Sequence, residues 1–207
     1  MLKLYDDLEE DNIIACIDES GRGPLIGPVF ASAVILNNAH DPEDTEIHKI
    51  KDSKKLSACM REYLSEYIKS IALDYSVVSV DNHVIDEINI LNANYRAMHT
   101  CLDNLNIDFD QILVDGNSFK PYKKKSMTIP FRTIIGGDNI YVGIAAASIL
   151  AKVEHDAFIN NICDEYPELE KYGLRTNMGY GTSKHIEAIR TYGYSDFHRK
   201  SFKLKKL

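Results

Sequence analysis

A short apolar run that leads directly into two neighbouring carboxylates constrains the fold more than any other feature of this chain. Residues 13–17, four aliphatic residues and a cysteine, are followed by Asp18 and Glu19 and then by a loop over 21–28 that is rich in glycine and proline. Short runs of β-branched residues bounded by turn formers are typical of buried strands. Because successive side chains of a strand point to opposite faces, we expect the two carboxylates at the end of the strand, where the chain leaves the regular pleat.

The same arrangement recurs in the second half of the chain. Residues 111–114 are mostly apolar and lead to Asp115 and Gly116. Two strands joined by a crossover that contains a helix are normally parallel, and the ends of neighbouring strands lie roughly 5 Å apart. If the two strands are neighbours, Asp115 therefore lies beside Asp18, at the sheet edge where α/β proteins bind ligands.

The first carboxylate pair has more than one interpretation. Carboxylates at the end of a core strand lose hydration, and this loss costs free energy unless a divalent cation compensates it. The pair therefore favours a metal site. Turn formers also gather at ordinary strand ends, so the pair alone is equally typical of a polar strand end. A dinucleotide-binding turn is excluded, because the glycines of 21–28 lack the G-x-G-x-x-G spacing and two prolines interrupt the helix that should follow.

Other segments are predicted to complete an α/β domain. Strands are expected over 29–36, 75–80 and 131–135. Helices are expected after Ser57, over 91–105, over 143–156 and after Thr182, with Ser57 and Thr182 as N-caps. Asp138 precedes the third of these helices, where a capping or turning role would explain it. We assign residues 1–156 to the main domain and residues 157–207 to a small helical C-terminal subdomain.

Composition limits the class of protein. The chain has 207 residues, of which 44% are hydrophobic, and a net charge of −7, which argues against a general nucleic-acid coat. Lysines nevertheless cluster over 49–55 and 120–125, and the basic tail after residue 198 permits a local basic track. The four cysteines are far apart and lie in apolar patterns, so we expect reduced core residues. No apolar stretch approaches the roughly 18 residues of a membrane span and no signal peptide is evident, so we expect a cytoplasmic protein without membrane association.

Ser53 and Lys54 lie just ahead of the helix capped by Ser57. A phosphate group would find backbone donors and a cation there, which makes both residues candidates for substrate binding. A capped helix start with ordinary surface lysines explains the same residues equally well.

Taken in order, the motifs of the chain resemble those of ribonuclease HII, also called type 2 ribonuclease H. They are Asp18-Glu19-x-Gly21-Arg22-Gly23, Asp52-Ser53-Lys54-Lys55-Leu56-Ser57, Val114-Asp115-Gly116, Asp138, the small-residue run 145–153, Gly179-Tyr180-Gly181-Thr182-x-x-His185 and Arg199-x-Ser201-Phe202.

The resemblance implies an α/β ribonuclease H-like fold, with a five-stranded mixed sheet flanked by helices. It also implies an endonuclease that cleaves the RNA strand of RNA–DNA hybrids and acts at single ribonucleotides embedded in duplex DNA. The catalytic and metal-binding carboxylates would be Asp18, Glu19, Asp115 and Asp138. Hard oxygen ligands of this kind suit two Mg²⁺ or Mn²⁺ ions, which can activate water and neutralise the charge that develops during phosphodiester hydrolysis.

The resemblance assigns recognition of the substrate to a second group of residues. Gly21, Arg22 and Gly23 match the loop that recognises the 2′-hydroxyl at the RNA–DNA junction. Tyr180 matches the tyrosine that stacks on the sugar at that junction. The enzyme is expected to act as a monomer.

Two positions depart from the family pattern. His155 precedes Asp156 where the family usually has arginine, and Gly143 stands where some members have an acidic residue. Two rival functions are a related nuclease on the same sheet and an inert RNA–DNA binding module. The first would lack the Gly-Arg-Gly and Gly-Tyr-Gly-Thr motifs, and the second would be expected to have lost a carboxylate.

Overall fold

The computed structural model describes residues 2–3, 12–37 and 44–204. Its strands are β1 (Ile14–Ser20), β2 (Val29–Leu36), β3 (Ala72–Val80), β4 (Gln111–Asp115), β5 (Lys123–Lys124), β6 (Met127–Thr128) and β7 (Phe131–Ile134). Its α-helices are α1 (Ala58–Ile71), α2 (Asn82–Ile88), α3 (Ile90–Asp103), α4 (Val142–Glu165), α5 (Leu174–Asn177) and α6 (Ser183–Tyr192). Short 3₁₀ turns occupy Ile47–Lys49, Ser53–Lys55, Gly137–Asn139 and Pro167–Tyr172.

Five strands form one mixed sheet in the order β3-β2-β1-β4-β7, and β5 and β6 form a separate hairpin. Strand β1 is antiparallel to β2 and parallel to β4, with Ile17 opposite Val114. The next residues along these two parallel strands are Asp18 and Asp115. The predictions of a five-stranded mixed sheet and of neighbouring strands that bring Asp115 to Asp18 are therefore confirmed.

Strand β1 differs from the sequence prediction at its end. It continues through both carboxylates to Ser20, because β2 keeps pairing with it: Asp18 lies opposite Ser32 and Glu19 opposite Ala31. The expectation that the chain leaves the pleat at the carboxylate pair is wrong.

Alternation along the strands explains which face each carboxylate meets. Cys16 and Leu113 share an apolar cluster with Ile144 of α4. Asp18 and Asp115 are two residues further along their strands and therefore point to this same face. Ile17 packs on the opposite face, in an apolar cluster that includes residues of α3. Glu19 is two residues further along β1 and therefore points to that face as well.

Helices cover both faces of the sheet. Residues of α2 and α3, such as Ile85 and Met98, pack on one face, and α1 and α4 cover the other with Leu64 and Ile68 and the consecutive alanines of α4. The predicted caps are confirmed, since Ser57 accepts from the Met60 N–H and Thr182 from the His185 N–H. None of the helices in the described part of the chain has the length and apolar composition needed to cross a membrane.

The ends of β3, β7 and α4 and the position of one cysteine differ from the sequence predictions. Strand β3 begins at Ala72 and β7 ends at Ile134. Helix α4 continues to Glu165, because apolar residues such as Ile159 and Ile162 extend its buried side. Cys59 is exposed in the first turn of α1 and is not a core residue, whereas Cys16, Cys101 and Cys163 are buried; all four are free thiols.

The C-terminal region packs against the glycine-rich loop. Leu25 and Ile26 of that loop share an apolar cluster with Ile159 of α4 and Ile186 of α6. Helix α4 runs without a break across position 157. The division of the chain into 1–156 and 157–207 stays a prediction.

Candidate active site

A recess of about 590 Å³ opens at the edge of the sheet where β1 and β4 end. Most of the residues predicted for the site line it: Asp18, Glu19, Gly21, Arg22, Gly23, Ser53, Lys54, Asp115 and Tyr180. Residues more than 150 positions apart in the sequence therefore share one cavity. Of the predicted residues, Asp138 does not line it.

Asp18 is the most buried carboxylate of the recess, with 5% of its surface exposed. Its Oδ1 accepts a hydrogen bond of 2.7 Å from the Glu19 N–H. Burial, followed by the charges of Glu19 and Asp115, raises the pKa of Asp18 well above its usual value. Hydrogen bonds from Ser148 and the Glu19 N–H lower the pKa of Asp18, but they do not cancel the effect of burial and the neighbouring charges.

Asp115 is held by the turn that follows β7. Its Oδ1 accepts a hydrogen bond of 2.7 Å from the Gly137 N–H. Burial, with a further contribution from Glu19, raises the pKa of Asp115, although the hydrogen bond from Gly137 opposes this.

Asp138 lies in the buried turn Gly137–Asn139, whose Gly137 N–H also donates to Asp115. Its pKa is raised by burial and then by the charges of Asp52 and Asp115. Asn139 donates a hydrogen bond of 2.7 Å to its Oδ1. The fourth predicted carboxylate therefore interacts electrostatically with both Asp115 and Lys54 of the recess, although it does not line the recess itself.

Over residues 12–37 and 44–204, no three carboxylate, imidazole or thiol groups converge on one point where a metal ion could be held. The acids are instead distributed along the sheet edge, with Asp18 and Asp115 on one face and Glu19 following on the other.

Lys54 brings positive charge to the recess. Burial alone would lower its pKa, but Asp138, Asp52, Asp18 and Asp115 together raise it. The neighbouring Ser53 is buried, and its hydroxyl lies 3.0 Å from that of Ser148. The Lys54 N–H already donates to Asp52 at 3.0 Å, so this backbone donor is occupied by the protein itself.

Ser148 and Lys152, one turn apart on α4, also line the recess and were missed from the sequence. Ser148 donates toward Asp18 and lowers its pKa. The Lys152 ammonium lies 2.6 Å from Asp156. Both residues belong to the small-residue run 145–153, and their spacing of four on one helix face was the available signal.

The glycine loop makes close approaches that side chains would prevent. Gly21 has a φ of +84°, and a Cβ at this position would lie 2.7 Å from Cδ2 of the buried His155. A Cβ on Gly23 would lie 3.3 Å from the Tyr180 ring. Arg22 extends from the loop to Glu19, with Nη1 2.8 Å from Oε1.

The two positions that depart from the family pattern both face the protein interior. Gly143 lies in the first turn of α4 and is buried. Because glycine has no side chain, this position adds no carboxylate to the site. His155 is buried against Gly21, with its Nδ1 3.0 Å from Asp156.

Comparison with known proteins identifies the family. The family model described as Ribonuclease HII matches residues 15–205. The chain belongs to the ribonuclease HII family. The resemblance inferred from the motifs is confirmed, and the family supports an endoribonuclease that acts on RNA–DNA hybrids.

Named relatives agree over nearly the whole chain. A ribonuclease HII of Christiangramia forsetii is 48% identical over 92% of this chain and 90% of its own length. One of Chlorobium luteolum is 44% identical over 92% of this chain and 88% of its own length. The crystal structure of the ribonuclease H2 from Pyrococcus horikoshii matches with a TM-score of 0.73 and 27% identity, covering 92% of this chain and 94% of that one.

Proposed function

We propose that this chain is a metal-dependent endoribonuclease that hydrolyses the RNA strand of RNA–DNA hybrids and nicks duplex DNA on the 5′ side of an embedded ribonucleotide. The products carry a 3′-hydroxyl and a 5′-phosphate. One observation carries the proposal: three carboxylates, the glycine loop and Tyr180 line the same recess.

The donor set fits hard divalent cations such as Mg²⁺ or Mn²⁺. Asp18, Glu19 and Asp115 would hold them, and Asp138, next to the Gly137 N–H that holds Asp115, is the fourth candidate ligand. The raised pKa values of Asp18 and Asp115 reflect burial and mutual repulsion that cations would offset. Mg²⁺ usually keeps several waters and binds one or two carboxylates plus substrate phosphate, which suits acids distributed along an edge better than a closed cage. When bound, two such ions supply an activated water and stabilise the attacking and leaving oxygens.

The protein's own residues prepare this edge for a phosphate. Ser148 holds Asp18 by a hydrogen bond, and the Gly137 N–H holds Asp115 at 2.7 Å. Lys54 and Lys152 line the recess and bring positive charge to where the scissile phosphate would lie. Cations at that position favour binding of an anionic backbone next to carboxylates that would otherwise repel it.

Selection of RNA must depend on the 2′-hydroxyl, because this group distinguishes ribose from deoxyribose. Backbone groups of Gly21 and Gly23 can approach a sugar closely, since neither residue carries a side chain. The Tyr180 ring lies over Gly23 and is 43% exposed, so its free face is available to the next sugar. A flat ring packed on that sugar would favour one that lacks the hydroxyl.

The proposal is tested with duplex DNA that contains one ribonucleotide, incubated with Mg²⁺ or Mn²⁺. We expect a single nick 5′ of the ribonucleotide, no reaction in excess chelator and no cleavage of the all-DNA duplex. The variant Asp18→Asn should be inactive. A matched control is Asp164→Asn, the same change at an exposed carboxylate paired with Arg175, which should nick like the wild type.

Two outcomes would contradict the proposal. Cleavage of the all-DNA duplex at a similar rate would contradict recognition of the 2′-hydroxyl. Tight binding of the hybrid without any cleavage would favour the alternative of an inert binding module.

The proposed enzyme is a monomer in the cytoplasm. The four free cysteines suit a reducing compartment. Sedimentation of the purified protein at micromolar concentration tests the monomer.

A further inference from the structure

Arg199 has the largest side chain among the fully buried residues, with 0% of its surface exposed. Its guanidinium donates to backbone carbonyl oxygens of the glycine-rich loop, at distances of 2.6–3.1 Å. The acceptors are Gly27 for Nε, Arg22 and Pro24 for Nη1, and Gly21 and Pro28 for Nη2. A guanidinium has five N–H donors, so every donor of Arg199 is satisfied by this loop.

This arrangement fixes the loop more strongly than an ordinary ion pair would. A buried charge is tolerated only when its hydrogen bonds are made, so the carbonyls must converge on the guanidinium. Burial lowers the pKa of Arg199 to about 10, which leaves the side chain charged at neutral pH. The Arg199 N–H also donates to the Leu25 oxygen at 2.8 Å.

The preceding residue, His198, reaches the other wall of the recess through His185. The Ser195 N–H donates to His198 Nδ1 at 2.9 Å, so neutral His198 must carry its proton on Nε2. His198 Nε2 lies 3.1 Å from His185 Nε2, which must then accept. His185 consequently carries its proton on Nδ1 and donates to the Tyr180 carbonyl at 3.0 Å.

Neutral imidazoles are required for this order of hydrogen bonds. Both rings are fully buried, and burial together with the neighbouring His185 lowers the pKa of His198 to about 4. Burial likewise lowers the pKa of His185. The chain of hydrogen bonds from Ser195 to Tyr180 is therefore intact at neutral pH.

We propose that His198 and Arg199 act together as positioning residues, the His198–Arg199 clip, which sets the spacing between the glycine loop and Tyr180. Arg199 holds the carbonyls of 21–28, and His198 holds the Tyr180 backbone through His185. Neither side chain lines the recess. The inference rests on the proposed function, because the spacing it controls is the one across which the ribose would be recognised.

The close approach between the two walls explains why such a device is needed. The Tyr180 ring lies so near Gly23 that even a Cβ there would be 3.3 Å from it. Loops position functional groups less accurately than strands unless other contacts fix them, and displacements of about 1 Å can cost large factors in activity. Two further hydrogen bonds join the same parts, from Leu25 N–H to Gly179 and from Gly27 N–H to Phe197, both 2.8 Å.

The test compares two substrates: duplex DNA with one ribonucleotide, and a continuous RNA–DNA hybrid without a junction. A merely structural role would lower kcat/KM for both equally, whereas the clip predicts a change in their ratio. We expect Arg199→Lys, which keeps the charge but loses the five-donor fork, to lower the preference for the junction substrate about tenfold. Lys200→Met removes a charge at the next, exposed residue and should leave the ratio unchanged.

Two substitutions of His198 test the other half of the clip, one that can keep its hydrogen bond to His185 and one that cannot. In His198→Gln the amide NH₂ stands near the position of Nε2 and can still donate to His185, whereas the Asn side chain is too short to do so. We expect His198→Gln to keep most of the preference for the junction substrate and His198→Asn to lose it. Equal ratios in both variants and the wild type would overturn the clip.

Amide hydrogen exchange of 21–28, measured by mass spectrometry, gives a readout that needs no activity. Exchange should be faster in Arg199→Lys and unchanged in Lys200→Met, and identical exchange in both would overturn the clip. If the wild type cleaves neither substrate, the proposed function fails while this measurement still decides whether the clip holds the loop. Should Arg199→Lys fail to fold, the two His198 variants carry the same comparison.

Discussion

The two walls of the recess are built in different ways. The carboxylate wall consists of neighbouring parallel strands, and its residues follow from pairing between β1 and β4. The wall proposed to recognise the sugar consists of a loop and a turn, and its shape depends on hydrogen bonds from a residue more than 170 positions away. Regular secondary structure thus supplies the carboxylates, whereas the proposed selectivity would depend on long-range contacts that hold irregular backbone.

The largest expected effect is a loss of activity when a carboxylate of the first wall is replaced, and its size should differ between Asp115 and Asp138. Asp115→Asn removes a charge that faces the recess and should lower kcat by about 10³-fold or more, because the proposed catalytic ions would lose a ligand. Asp138 is not among the residues that line the recess, so Asp138→Asn should cost clearly less. Single-turnover nicking of the one-ribonucleotide duplex measures both. Equal losses would mean that Asp138 turns into the recess when substrate binds.

The next effect tests the fit of the glycine loop. Gly21→Ala combines a positive φ with a Cβ only 2.7 Å from His155 and should lower the free energy of unfolding by about 2–4 kcal/mol. Gly116→Ala is the matched control, since its φ is +95° but nothing lies within 4 Å of the added Cβ. It should cost about 1 kcal/mol. Urea unfolding measures both variants, and equal losses would show that the contact with His155 is easily relieved.

A third effect concerns the ring of Tyr180. Tyr180→Phe keeps the flat face and should behave like the wild type, whereas Tyr180→Ala should lower the preference for the junction substrate about tenfold. Because the ring is partly exposed, unfolding of both variants should resemble that of the wild type. The ratio of kcat/KM for the two substrates is the measurement. A lower ratio in Tyr180→Phe would show that the preference depends on the hydroxyl and not on the face of the ring.

The smallest effect lies outside the recess, where Asp86 fastens the segment that follows the His198–Arg199 clip. Its carboxylate accepts from the Lys200 N–H at 2.9 Å and from the Ser201 N–H at 2.9 Å and hydroxyl at 2.6 Å. Partial burial alone would raise the pKa of Asp86, but the hydrogen bonds from Ser201 and Lys200 lower it. Its stabilising contribution is thus present above the unfolded pKa of about 3.9 and is lost as the pH falls through the lower folded pKa.

The corresponding variant is Asp86→Asn. It should lower Tm by about 2 °C at pH 7 and remove part of the fall in Tm on acidification. The control Glu87→Gln makes the same charge change at the adjacent exposed residue and should keep the wild-type profile. Thermal unfolding between pH 3 and pH 7 measures both, and matching profiles for Asp86→Asn and the wild type would remove Asp86 from this role.

Local patterns predicted the two strands of the carboxylate wall and their parallel direction. Apolar runs that end in Asp18 and Asp115 mark two strands, and a crossover that contains a helix makes them parallel, but the pairing that makes these strands neighbours is seen only in the folded sheet. The N-caps Ser57 and Thr182 were equally accessible, because a cap depends on residues three positions apart. The extension of β1 to Ser20 could not be predicted in this way, because it depends on continued pairing with β2.

The contacts that hold the second wall are visible only in the folded chain. In the sequence Arg199 lies in a basic tail, which is typical of a solvated surface, yet the folded chain buries it completely. His185 and His198 carry no metal-binding spacing, and their order of hydrogen bonds follows only from the Ser195 N–H and the Tyr180 carbonyl. Local patterns encode which side chains a strand or helix presents, but hydrogen bonds between distant segments depend on backbone positions that exist only after the chain has folded.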